Sequence, residues 1–115
     1  MRNPILKAKK AVTLLSFKQK RDDEIFAPIN GIQVDTDRSL NDLKGSVEMW
    51  DVLGNPASIT WTLADNTEQD FTKAELQAVI ETYAVRKLTT FSKYQTLKQE
   101  VENAINEDQL DSVSW

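Results

Sequence analysis

The 115-residue chain contains no cysteine and no histidine. Without cysteine, disulfides, thiolate nucleophiles, iron–sulfur clusters and thiolate zinc sites are excluded. Without histidine, the commonest general base at neutral pH is gone. So are the commonest transition-metal ligand and every Ser-His or Cys-His nucleophile pair. Carboxylate-only catalysis and carboxylate sites for magnesium or calcium are what remain. Glycine and proline number three each, and neither a low-complexity segment nor an internal repeat is found. No apolar run approaches the roughly 20 residues of a membrane span. Lys7, Lys9 and Lys10 interrupt the only apolar stretch that resembles a signal peptide. A membrane partner is therefore not expected, and the lack of cysteine is compatible with the cytoplasm.

What is present suits a folded chain. Hydrophobic residues make up 40% of the sequence, with four Phe, three Trp and two Tyr, well above the level of disordered chains. A chain of this length buries roughly two thirds of its unfolded surface, enough for a core without metal or disulfide staples. One domain over residues 1–115 is expected, with 1–14 readable as a basic N-terminal extension. The formal charge is -4, so the diffuse attraction to phosphate that carries nucleic-acid binding is missing. Arg2, Lys7, Lys9, Lys10, Lys18, Lys20 and Arg21 make the N-terminal stretch basic, yet no aromatic stacking platform accompanies them. A nucleic-acid module on that stretch is the weakest of three functional readings.

Local patterning predicts an α+β domain. Asn3-Pro4 is a helix-start signal, with Asn as cap and Pro at the first helical position. The apolar residues Ile5, Ala8, Val12 and Leu15, and later Ile25 and Phe26, recur at helical intervals, which predicts a helix from about Pro4 to Phe26, before Pro28. Asp22-Asp23-Glu24 at its C-terminal end oppose the helix dipole. A short strand with Ile32 and Val34 on one face follows, beside the turn signal Asn30-Gly31. Leu40, Leu43, Val47 and Trp50 then form an i, i+3, i+7, i+10 stripe, which Thr36, Asp37 or Ser39 is able to cap. That helix is expected to stop near Leu53-Gly54, with Pro56 beyond.

The period then changes. Ile59, Trp61 and Leu63 alternate with Thr60 and Thr62 as a strand, Asp65-Asn66 marks a turn, and Thr67 to Phe71 returns antiparallel. Thr72-Lys73-Ala74-Glu75 has the form of a capping box, with Phe71 placed to staple against Leu76. Leu76, Val79, Ile80, Tyr83, Leu88, Phe91, Tyr94, Leu97, Val101 and Ile105 follow in helical spacing without Gly or Pro. Such a helix is roughly 50 Å long, more than a domain of this size needs. Either it bends near Thr89-Thr90, or one end projects to meet a partner. Around Leu110 the tail adds one more turn.

Each chemically suggestive group has a plainer reading. Asp35-Thr36-Asp37-Arg38-Ser39 lacks the Gly and the further oxygens of a calcium loop, so it reads as a turn and helix cap. Asp65, Glu68 and Asp70 lie in the hairpin, where exposed carboxylates do no chemistry. Trp50 and Trp61 fall on core faces. Trp115 either docks back onto the domain or contacts another chain. A sustained coiled-coil seam is not found on the long helix, because the pattern drifts across Val85-Leu88-Phe91. The candidate protein–protein contact is Tyr94, Leu97, Val101, Ile105 and Trp115. No residue is assigned to catalysis, a cofactor or a metal.

The order of these pieces resembles a family of uncharacterised domains found in phage and prophage tail and tail-fibre-associated proteins. The resemblance runs from Gly31-Ile32 and Asp35-Thr36-Asp37-Arg38-Ser39 through Leu43-Lys44-Gly45, Ile59-Thr60-Trp61-Thr62-Leu63-Ala64-Asp65-Asn66 and Phe71-Thr72-Lys73-Ala74-Glu75-Leu76 to Asp108-Gln109-Leu110. It covers the chain from about Leu15 onward. It implies a non-enzymatic structural or assembly protein, located in the bacterial host cytoplasm or the virion tail. Its partners are other tail proteins or a second copy in a homo-oligomer. The recurring residues Asp35, Asp37, Ser39, Trp61 and Thr72 read as caps, turns and core, so none carries over as an active site. The alternative is a carboxylate-dependent enzyme or divalent-cation-binding domain built on Asp35, Asp37, Asp65 and Asp70.

Overall fold

Asn3 accepts from the Leu6 amide at 3.0 Å, and Pro4 opens helix α1, Pro4–Phe26. Pro needs no amide partner there, and its fixed φ suits the first turn. The structure is a computed structural model describing residues 3–115. Its further elements are α2 (Asp37–Glu48), β1 (Ile59–Thr62), β2 (Glu68–Phe71), α3 (Lys73–Asn103) and α4 (Glu107–Asp111). The fold is α+β, with helices around a two-stranded antiparallel hairpin. The chain divides into two compact units. One is Ile25–Lys87; the other joins the described part of Met1–Glu24 to Leu88–Trp115.

In the Ile25–Lys87 unit the short segment after α1 pairs through one isolated bridge, Ile29 with Ile32. Asn30 and Gly31 both have positive φ, 51° and 81°, as the two central residues of a type I′ turn require. Strand pairing stops at that bridge, but the expected facing holds: Ile32 and Val34 are fully buried and Gln33 is exposed. Of the three candidate caps for α2, Thr36 is the one used, its hydroxyl accepting from the Ser39 amide at 3.0 Å. The helix ends at Glu48, earlier than Leu53-Gly54. The chain continues through turns closed by Gly54 at φ 92° and Asn55 at φ 51°. Those turns bring Trp50 inward, where its indole N–H donates to the Pro56 carbonyl at 3.0 Å.

The hairpin register pairs Ile59 with Phe71, Thr60 with Asp70, Trp61 with Gln69 and Thr62 with Glu68. Ile59, Trp61 and Leu63 are half-buried against the core while Thr60 and Thr62 face out. The capping box is closed in both directions: Thr72 N–H donates to Glu75 Oε1 at 3.0 Å, and Glu75 N–H to Thr72 Oγ1 at 3.2 Å. Phe71 and Leu76 are both buried there, as a staple requires. The core joins Ile25, Ile29, Ile32 and Val34 to Leu40, Leu43, Val47 and Trp50 of the middle segment. Phe71, Leu76, Val79 and Tyr83 complete it.

The second unit has its own core: Leu6 and Phe17 from α1, Tyr94 and Val101 from α3, then Ala104 and Leu110. α3 runs unbroken through Thr89-Thr90. The expected last turn is α4, with Asn106 accepting from the Gln109 amide at 2.8 Å and Gln109 Oε1 from the Ile105 amide at 2.9 Å. The acidic end of α1 is tolerated because each carboxylate has a local donor. Asp22 accepts from Arg21 at 3.0 Å, Asp23 from Gln19 at 2.8 Å, and Glu24 from the Trp115 indole at 2.6 Å.

Candidate interaction surface

Two apolar stripes run along α1, and only one is packed. Leu6, Leu14 and Phe17 enter the core of their unit. Ile5, Ala8, Val12 and Leu15 do not: Ile5 is 59% exposed, Val12 67% and Leu15 66%, and Ala8 is exposed as well. At 3.6 residues per turn the centres of the two stripes lie about 180° apart on the helix. A helix packed on one side only is able to bury one of them. The spacing within α1 reveals the periodicity of the exposed stripe but does not distinguish it from the buried one. The available signal was that apolar residues occupy two faces of this helix instead of one.

Beyond its apolar residues, α1 is cationic as far as Arg21. Residues 3–21 contain Lys7, Lys9, Lys10, Lys18, Lys20 and Arg21 and no acidic residue. Lys9 pairs with Glu107 at 3.1 Å and Lys10 donates to the Glu102 carbonyl at 2.9 Å. Arg21 lies over the Tyr94 and Phe91 rings, 4.8 and 5.1 Å from their centroids. Lys7, Lys18 and Lys20 are exposed and make no ion pair among the described residues. A shallow cleft of about 320 Å³ adjoins the stripe, lined by Ala8, Lys9, Val12, Thr13, Leu110 and Asp111.

The five residues singled out from the sequence are placed differently from one another. Tyr94 and Val101 are buried in the core, Val101 completely, and Leu97 packs half-buried against it. Ile105 is 76% exposed, standing between α3 and α4. Trp115 is half-buried: its ring meets Phe17 at 5.8 Å, Lys93 lies 4.4 Å from its centroid, and its N–H binds Glu24.

The four acidic residues of the alternative reading are dispersed: Asp35 in a bend, Asp37 at the start of α2, Asp65 in the hairpin turn and Asp70 in β2. Asp35 and Asp37 are exposed at the start of α2. Asp70 accepts from the Thr60 hydroxyl at 2.6 Å across the hairpin. Asp65 accepts from the Thr67 hydroxyl at 2.6 Å and its amide at 3.0 Å. Those bonds, the hydroxyl's above all, hold its carboxyl below the usual carboxylate range. Among the described residues no three acidic side chains converge as a metal site would require. Tyr83 is pushed above the ordinary phenol value by burial, with a smaller contribution from the negative charge of Asp37.

A family model described as "Domain of unknown function (DUF4376)" matches residues 8–114. The chain belongs to the DUF4376 family. No curated protein and no solved structure matches it. The DUF4376 match includes all but the first four residues of α1 and every later element. Val12 and Leu15 of the stripe thus lie inside the family domain, and Ala8 is at its first matched position.

Proposed function

We propose that this protein is a non-enzymatic, tail-associated structural or assembly component of a phage or prophage, acting through protein–protein contacts. The observation that carries the contact part is the outward stripe Ile5, Ala8, Val12 and Leu15 on a helix whose opposite face is already packed. Four aliphatic residues in helical register are more than the scattered single apolar residues of an ordinary surface. The tail context rests on the resemblance described above. The missing thiol and imidazole groups and the dispersed carboxylates favour recognition by shape over bond-making.

Light scattering of the purified protein and affinity capture with the products of neighbouring tail genes test the proposal. The expected result is capture of at least one tail protein, or self-association. A strictly monomeric protein that retains none of them would defeat it.

A further inference from the structure

We infer that the exposed face of α1 is a docking site for an acidic amphipathic helix of a partner protein. This rests on the reading of the protein as a contact module and names the chemistry of what it contacts. The register comes first. Ile5, Ala8, Val12 and Leu15 follow i, i+3, i+7 and i+10, the spacing of a and d positions, and span about 15 Å of helix. An α-helix has no open backbone edge to offer an extended strand, so an occupant engages its side chains, and a second amphipathic helix matches their spacing. The cleft beside Val12, with Leu110 among its lining residues, gives room for a larger side chain from the facing helix.

Charge then selects the partner. With Ile5 and Val12 at a, Lys9 falls at an e position and Lys18 at a g position, where flanking charges set partner choice. Lys20 adds to this cationic flank and Lys7 stands farther round the helix; α1 itself has no carboxylate over residues 3–21, while Glu107 and Asp111 of α4 offset the charge on the Lys9 side. Pairing α1 with the α1 of a second copy over the stripe, residues 5–15, adds further lysines and no carboxylate, which opposes association there. A helix bearing Glu or Asp beside its apolar seam reverses the sign. Lys18 is open to such a carboxylate, while at Lys9 it competes with Glu107, 3.1 Å away. An anionic bilayer fits less well, because the stripe lacks the aromatic side chains that anchor interfacial helices and Phe17 points into the core.

The test uses the full chain and two labelled synthetic peptides of roughly three heptads, with Leu at a and d. One carries Glu at e and g, the other Lys. Anisotropy is expected to show binding of the Glu peptide, weakening as salt rises, and little of the Lys peptide. The Val12→Glu/Leu15→Glu variant should bind the Glu peptide about tenfold more weakly or worse. Lys18→Glu should weaken the Glu peptide and strengthen the Lys peptide. An unchanged melting curve controls for folding, since these side chains are exposed. Absence of binding, equal binding of both peptides, or binding to phosphatidylglycerol vesicles but not to peptide would overturn the inference. So would a dimer that Val12→Glu dissolves. If wild type and the Val12→Glu/Leu15→Glu variant capture tail proteins equally well, the contact function stands and this surface is wrong. If the Glu peptide binds but no tail protein is captured, the surface stands and the tail function falls.

Discussion

Leu15 and Phe17 are two residues apart on one helix, and the structure assigns them opposite weights in stability. Phe17 is 4% exposed and packs with Leu6, Tyr94, Val101 and Leu110. Truncating a buried Phe to Ala costs about 3–5 kcal/mol, from lost transfer energy and the cavity left behind. Leu15 is 66% exposed, and substitutions at such surface positions stay within about 0.5 kcal/mol. For 115 residues, an unfolding entropy near 2.1 cal/mol/K per residue makes each kcal/mol worth about 4 °C in Tm. Phe17→Ala should therefore lower Tm by about 12–20 °C and Leu15→Ala by no more than about 2 °C. Thermal unfolding followed by far-ultraviolet circular dichroism reads both. Equal losses, or a larger loss at Leu15, would mean that α1 packs by its other face, and the interaction surface would go with it.

The remaining predictions concern other joints of the fold. Trp115→Ala removes a ring contact, a cation–π contact and the bond to Glu24; a loss of about 2 kcal/mol in urea unfolding is expected. Its effect should fall short of additive with Phe17→Ala, since the two rings touch. Thr72→Ala opens the capping box and should cost about 1 kcal/mol by the same measurement. Gly45→Ala meets no atom within 4 Å in the interior of α2 and should gain about 0.4–1 kcal/mol. Gly31→Ala should lose about 1–2 kcal/mol, because φ is +81° and a Cβ would sit 3.1 Å from Leu63 Cδ1. Asp65 has a folded pKa below its unfolded one, so its contribution is present above the ordinary carboxylate range and fades as pH falls through the lowered value. Thr67→Val should move the Asp65 titration, followed by carboxyl NMR, back toward the unperturbed value.

The signals that sequence reading caught were local ones. The Asn3-Pro4 start, the Thr72/Glu75 box, the Asn30-Gly31 turn and the Ile59–Leu63 alternation each depend on residues a few positions apart. Such signals are therefore legible without knowing which distant segments pack against them. What distance in sequence hides is which of two apolar faces will be covered. Leu6–Leu14–Phe17 is buried by segments some 80 to 110 positions further along, and no spacing rule within α1 favours it over Ile5–Ala8–Val12–Leu15. The same holds for Tyr94 and Val101. Their stripe on α3 reads equally well as a surface or a core until Leu110 and α1 are placed against it. The end of α2 was blurred for another reason: hydrogen-bonded turns continue from Met49 to Asn55 and carry the helical spacing past the last helical residue.

The length of α3 invites a partner-based explanation that packing makes unnecessary. At 31 residues it spans about 46 Å, and both ends are used. Leu76, Val79 and Tyr83 enter one core; Tyr94 and Val101 enter another. The exposed Val85 and Leu88 fall where residues 73–87 give way to 88–103, each set belonging to a different unit. Each half of the helix thus has packing of its own, so its length by itself is no sign of a projecting end. α1 presents the opposite case. Its length is ordinary for what it packs, yet among the described residues Ile5, Val12 and Leu15 stay more than half exposed on one face. Exposed Met49, Val52 and Leu53 sit together in a turn, and Ile105 stands alone. None of these repeats over several helical turns. Periodicity on an unpacked face is harder to explain as leftover composition than a single exposed side chain, since it demands the same choice at four separate positions. That is why the search for a contact belongs on α1.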